Sequence, residues 1–150
     1  MRVIAIDPGL SRLGYAVGEK PNKLLEAGTF YAQKDKIQQI VAFIQSLINK
    51  YTPQCVVIED YRIYNTSIKK KHTTPEVIGV IKTLCISNGI EYELTYHNEW
   101  KAKFNRIYFC IHDRLDESWK NALQKGSEHS RDAVMMLLPY VVSLYHWNGG

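Results

Sequence analysis

The chain has little of what ties a small protein together covalently or anchors it in a bilayer. Its three cysteines, Cys55, Cys85 and Cys110, are odd in number, share no short spacing and sit in apolar runs. That pattern suits buried thiols in a reducing compartment and speaks against a disulfide framework or a cysteine-based zinc site. No apolar run approaches the roughly 18 residues that a membrane-crossing helix needs. Met1-Arg2-Val3 leads straight into an apolar strand with no charged leader, so a soluble, cytoplasmic protein with no membrane partner is expected. Repeats and low-complexity tracts are missing too. Neither sign of charge dominates: 19 basic against 15 acidic residues leave +4, which permits a nucleic-acid partner without demanding one. A chain of 150 residues buries roughly 70% of its unfolded surface, so residues 1–150 are expected to form a single domain.

The order of elements is legible. Residues 2 to 7 form an apolar strand, Asp7-Pro8-Gly9-Leu10-Ser11 a turn and Leu13 to Gly18 a second strand, with Leu24 to Tyr31 completing a meander. From Asp35 the residues Ile37, Ile40, Val41, Ile44, Leu47 and Ile48 recur at three and four, the stripe of an amphipathic helix that stops near Lys50 and Pro53. Cys55 to Glu59 is a continuous apolar strand fit for a sheet centre. Tyr61 to His72, polar, aromatic and basic without periodicity, reads as a loop. Thr73-Thr74-Pro75-Glu76 opens a helix that runs to Asn88-Gly89, and Glu91 to Tyr96 is a fifth strand. Asn98 to Phe104 and Asp116 to Leu123 are shorter helical pieces joined by Asn105 to Arg114. A last helix is predicted from Ser127 to Trp147, kinked at Pro139. The expected fold is α/β: a mixed five-stranded sheet, three strands in an antiparallel meander and two parallel, with helices on both faces.

Three acids stand where the local chemistry changes. Asp7 ends the run Val3-Ile4-Ala5-Ile6, Glu59 ends Val56-Val57-Ile58, and Asp132 lies in the helical stretch His129-Ser130-Arg131-Asp132. A carboxylate closing a buried strand is costly unless something positive faces it, and three such groups suggest a divalent cation. Right-handed crossovers place the strand ending at Glu59 beside the strand beginning at residue 2, so both carboxylates reach the rim where open sheets bind ligands. Plainer readings exist for each: Asp7 before Pro-Gly forms turns, Glu59 could pair with Arg62 or a lysine, and His129 could decorate a helix start. Together they require three coincidences.

Ile4-Ala5-Ile6-Asp7-Pro8-Gly9-Leu10-Ser11-Arg12-Leu13-Gly14-Tyr15, Val57-Ile58-Glu59-Asp60 and His129-Ser130-Arg131-Asp132-Ala133 together resemble the RuvC family of Holliday junction resolvases, within the ribonuclease H-like superfamily. The resemblance runs over nearly the whole chain and suits a cellular or a phage-type member. It implies a ribonuclease H-like fold, a homodimer, two Mg2+ ions per active site with Mn2+ also supporting activity, and paired cuts that resolve four-way DNA junctions. The family's catalytic positions map onto Asp7, Glu59 and Asp132, and onto His129 where many members carry an aspartate. On that reading Asp7 bridges the two ions, Glu59 holds one, and Asp132 with His129 holds the other. His129 and Asp132 are three apart on a helix and face one way; Glu128, four from Asp132, is the alternative to His129. Lys101 and Lys120 fall close to family lysines that assist at the active site.

Contacts to DNA are expected from Lys69-Lys70-Lys71-His72, a compact positive patch, and from Tyr61, Ile63 and Tyr64, which can stack on bases. The family carries an apolar or aromatic wedge in this loop. Here the position three after the glutamate is Arg62, so the wedge falls to Tyr61, Ile63 or Tyr64. Lys103, with Arg106 and Lys125, is either a further DNA contact or ordinary surface charge. In the helix after Pro75, Val77, Ile78, Val80, Ile81, Leu84, Cys85 and Ile86 cover more than one stripe, and Gly79 allows close approach, so either a second copy of the chain or the C-terminal helix covers the excess. Two other functions compete: a broader nuclease acting on forks, flaps and three-way junctions, and a junction binder that does not cut, which intact Asp7, Glu59 and Asp132 oppose. The Asp-x-Gly turn also resembles the first phosphate loop of actin-like sugar kinases, which need two such domains. No small-molecule cofactor beyond metal is expected.

Overall fold

In the computed structural model, which describes residues 1–60 and 73–142, the chain runs β1 (Arg2–Asp7), β2 (Arg12–Glu19), β3 (Lys23–Tyr31), α1 (Lys36–Tyr51), β4 (Cys55–Glu59), α2 (Thr73–Ser87), β5 (Glu91–Thr95), α3 (His97–Ile111), α4 (Glu117–Lys125) and α5 (Glu128–Val141). The sheet order is β3-β2-β1-β4-β5. β1, β2 and β3 pair antiparallel, whereas β4 runs parallel to both β1 and β5. This is the expected mixed sheet. No helix among the described residues is long and apolar enough to cross a membrane.

Both faces of the central strands are covered, which is why β1 and β4 read as unbroken apolar runs. Ile4, Ile6, Val56 and Ile58 face α1 and α2, where Ile40, Ile44, Val77 and Ile81 close one core. Val3, Ala5 and Val57 face the other way, onto Trp100 of α3, Trp119 of α4 and Val134, Leu137 and Leu138 of α5. Side chains alternate along a strand. Asp7 therefore follows Val3 and Ala5, and Glu59 follows Val57, so both acids turn toward α3 and α5.

Several expectations need correction. α3 does not stop at Phe104 but continues to Ile111, followed by a 3-10 turn at His112–Arg114; Trp100, Phe104, Ile107 and Ile111 recur at helical spacing and pack into the second core. α5 ends at Val141 rather than Trp147, because Val142 is extended at φ −77° and ψ 134° and its N–H closes on the Leu138 carbonyl. Only Cys85 is buried; Cys55 is half-buried and Cys110 is exposed. α5 packs across the sheet from α2, so it does not cover the outer apolar residues of α2, of which Ile86 is 68% exposed. Residues 143–147, included in the predicted last helix, lie outside the described residues, as does the loop Tyr61 to His72.

Candidate active site

One row of residues crosses the sheet near its rim. Thr29 pairs with Gly14, Gly14 with Asp7, and Glu59 with Thr95. Because Ile6 pairs with Ile58, the next step along both strands sets Asp7 beside Glu59.

Two helix starts close over this row. α5 begins after Ser127, whose hydroxyl accepts from the Ser130 N–H and lies 2.5 Å from Thr29 Oγ1, pinning the helix start to β3. Its first turn rests on Gly14, where a Cβ would stand 2.1 Å from the His129 carbonyl oxygen, so only glycine admits so close an approach. From there His129 Nδ1 reaches Asp7 Oδ2 at 3.1 Å. Asp132, three residues on, acts as a like charge on both Asp7 and Glu59. α3 begins after Tyr96, and its first turn supplies Trp100, whose indole N–H donates to Glu59 Oε2. His97 Nδ1 lies 3.9 Å from the same oxygen, and its ring meets Trp100 edge to face with centroids 4.9 Å apart.

Asp7 and Glu59 are each only 8% exposed. Among the described residues their ion-pair partners are histidines, with no arginine or lysine on either. Burial pushes Asp7 up to about 6, with the hydrogen bond and charge of His129 pulling the other way. Burial also pushes Glu59 up to about 7, aided by the charge of Asp7 and opposed by the Trp100 hydrogen bond. Asp132 is raised by burial as well and eased by His97, His129 and Lys101. Buried, mutually repelling carboxylates without a permanent cation, joined by imidazole nitrogen, suit a hard or borderline divalent ion. As the side chains stand, no three His, Cys, Asp or Glu among the described residues are close enough to share one ion. The fit therefore lies in the donor chemistry and the unrelieved charge.

The structure gathers Asp7, Glu59, His129 and Asp132, with Lys101 exposed on α3 and close enough to act on Asp132. Between the alternatives, His129 touches Asp7, while Glu128 acts only as a further repelling charge. Lys103 is not part of this cluster: its Nζ lies 6.0 Å from the centre of the Tyr140 ring, in a groove shared with Arg106 and Cys110. Lys120 lies on α4 next to Trp119, whose indole N–H donates to the Asn22 carbonyl at the opposite end of the β2–β3 hairpin. Tyr61, Arg62, Ile63, Tyr64, Lys69, Lys70 and Lys71 lie outside the described residues. Sequence reading missed Gly14, His97 and Trp100. A signal for the last two existed: they are three apart at a helix start, with Trp100 directly before Lys101.

Two outcomes follow from this geometry. Both carboxylates have raised values in the folded state, so their contribution to stability is full below about pH 4 and is lost as pH rises through about 6 and about 7. Metal-free Asp7→Asn should therefore be more stable than wild type at pH 8, by roughly 1–3 kcal/mol, with the gap closing at pH 4 in thermal melts with chelator. A lower melting temperature than wild type at pH 8 would contradict the charge repulsion described here. Gly14→Ala should cost roughly 1–3 kcal/mol in urea unfolding, because backbone must move to admit the methyl group. It should also displace the Asp7–His129 pairing; unchanged His129 resonances in a folded variant would count against the contact.

No protein-family model matches the sequence. The crossover junction endodeoxyribonuclease RuvC of Prochlorococcus marinus (strain MIT 9301) is 32% identical over 135 residues, which covers 77% of this chain and 83% of the relative. Among solved structures, T. thermophilus RuvC in complex with Holliday junction substrate superposes with a TM-score of 0.72 at 18% identity, covering 93% of this chain and 91% of that one. Fowlpox virus resolvase, solved with substrate Holliday junction DNA, superposes with a TM-score of 0.61 at 15% identity, covering 93% and 97%. At those identities the solved structures speak for the fold alone, and it is the fold described above. Similarity over most of both sequences carries the rest: the chain belongs to the RuvC family of crossover junction endodeoxyribonucleases.

Proposed function

We propose that this protein is a structure-selective DNA endonuclease that resolves four-way junctions by metal-dependent phosphodiester hydrolysis, as a homodimer with one such domain in each protomer. The observation that carries the reading is the Asp7–Glu59 pair: two buried acids on adjacent strand ends, facing the same way, with only imidazole and indole partners among the described residues. The name of the P. marinus relative and the junction complexes of the structural neighbours support branched DNA as the partner.

Asp7, Glu59, Asp132 and His129 would hold Mg2+, two ions per site, with Mn2+ as a working substitute. When bound, the cations activate the attacking water and offset charge on the attacking and leaving oxygens of the phosphodiester. The protein's part is to hold the donors in place. Asp7, on the central strand, has two oxygens to share. Glu59 is anchored by Trp100, and His129 and Asp132 are presented by a helix turn that Ser127, Thr29 and Gly14 fix against the sheet. Lys101 is exposed on the α3 side of Asp132, placed to meet a phosphate that approaches the site. Lys103 and Arg106, in the groove of α3 and α5, and the sequence Tyr61 to Lys71 would contact the DNA arms. A second copy would pack on α2, where Ile86 is 68% exposed and a Cβ on Gly79 would meet nothing within 4 Å.

Cleavage of a labelled four-way junction and a matched fork tests the reading. Wild type with Mg2+ should cut the junction symmetrically in opposing strands, and Asp7→Asn should lose at least about 100-fold in rate, roughly 3 kcal/mol. Equal cutting of the fork would favour the broader nuclease, and tight binding without cutting in Mn2+ would favour a junction binder. Nitrogen is a softer donor than carboxylate oxygen, so His129→Asp should lower the ratio of Mn2+-supported to Mg2+-supported activity. An unchanged ratio would remove His129 from the ligand set.

A further inference from the structure

We propose that Trp100 is a positioning residue for Glu59: its indole N–H engages Oε2 and leaves Oε1 as the oxygen that Glu59 offers to a cation. The inference rests on the reading of Glu59 as a metal ligand. Trp100 is 2% exposed and packs with Phe104 against the second core, so the ring cannot swing away without opening that core. Among the described residues both contacts of the Glu59 carboxylate, the Trp100 indole nitrogen and His97 Nδ1 at 3.9 Å, fall on Oε2. The His97 ring lies edge to face against the indole, so the first turn of α3 braces the donor as well as supplying it.

The kind of donor matters. An arginine or lysine in this position would hold Oε2 at least as firmly but would cancel the charge that draws a cation to Glu59. An indole N–H can only donate, and it carries no charge. The indole thus restrains the rotation of the Glu59 carboxyl without cancelling the negative charge of its ionised form. A ligand oriented in advance by an outer partner binds its ion more tightly, and removal of such partners typically costs about 10–100-fold in metal affinity or activity.

The test titrates Mn2+ by calorimetry into wild type, Trp100→Phe, Glu59→Gln and the double variant. Trp100→Phe should weaken Mn2+ binding about tenfold. Glu59→Gln should weaken it at least as much, and the double variant no more than Glu59→Gln alone, since Trp100 acts only through Glu59. Wild-type affinity in folded Trp100→Phe, or losses that add in the double variant, would overturn the positioning role. If Glu59→Gln still weakens binding in that case, the reading of the site survives. Wild-type affinity in Glu59→Gln would sink both. Should Trp100→Phe not fold, the wild-type indole signals decide: the Trp100 indole proton should shift in Glu59→Gln and on addition of Mg2+, while that of Trp119 stays in place. A Trp100 signal indifferent to both would refute the proposal.

Discussion

The parallel pairing of β1 with β4 is the constraint on which everything else in this molecule depends. A slip of one residue in either strand would turn its terminal acid toward α1 and part Asp7 from Glu59. Apolar side chains on both faces hold the register: Ile4, Ile6, Val56 and Ile58 on one side, Val3, Ala5 and Val57 on the other. Two packed cores therefore fix two carboxylates that repel each other. Nothing in the acid pair stabilises the fold, and the raised values of Asp7 and Glu59 show that the fold works against their ionisation. Such a site persists because hydrophobic burial around it over-determines the backbone.

The helices reach the acids through contacts that bring little fixed positive charge. α5 is seated by a hydroxyl pair, Thr29 with Ser127, and by the missing side chain of Gly14. α3 is seated by Trp100 and Phe104 in the core and touches Glu59 through an indole. The ordinary way to place a buried carboxylate is an arginine or lysine, and this protein uses both for other acids, Arg2 with Glu19 and Lys50 with Glu26. Those pairs sit on better-exposed carboxylates away from the rim. The difference separates an acid kept for structure from an acid whose charge is left for something else.

Much of this was legible in the sequence, and the parts that were not share a cause. The strands of the meander, the α1 stripe and the adjacency of Asp7 and Glu59 follow from local patterns and crossover handedness, which act over short stretches or obey a strong rule. The extent of α3 did not, because Tyr108, Phe109 and Cys110 on its exposed side blur the stripe that Trp100, Phe104 and Ile111 make on the buried one. Trp100 was missed because tryptophan reads as core, and its N–H matters only when a partner 41 residues away is known. Lys120 was assigned by register across the least periodic segment, where the packing of its neighbour Trp119 against Asn22 is equally invisible in the sequence. Gly14 stood inside a motif already noted, yet its role depends on a helix 115 positions later in the chain.

Histidine at position 129 bears on the same balance of charge. Its hydrogen bond and its charge both lower Asp7, and its charge eases Glu59 and Asp132. A carboxylate there would reverse each of those signs and add a further acid to a group already raised by burial. The imidazole thus relieves the metal-free site, but it does so by engaging Asp7 Oδ2 at 3.1 Å. As the indole does on Glu59, the imidazole engages one carboxylate oxygen of Asp7, so a ligand role that used both Asp7 oxygens would require it to give up that contact. At Glu59 the indole likewise faces one oxygen, so a role that used Oε1 alone would require no such exchange. The two acids stand side by side in one row of the sheet, yet they are held by different donors, an imidazole and an indole, and the difference lies in which helix reaches each of them.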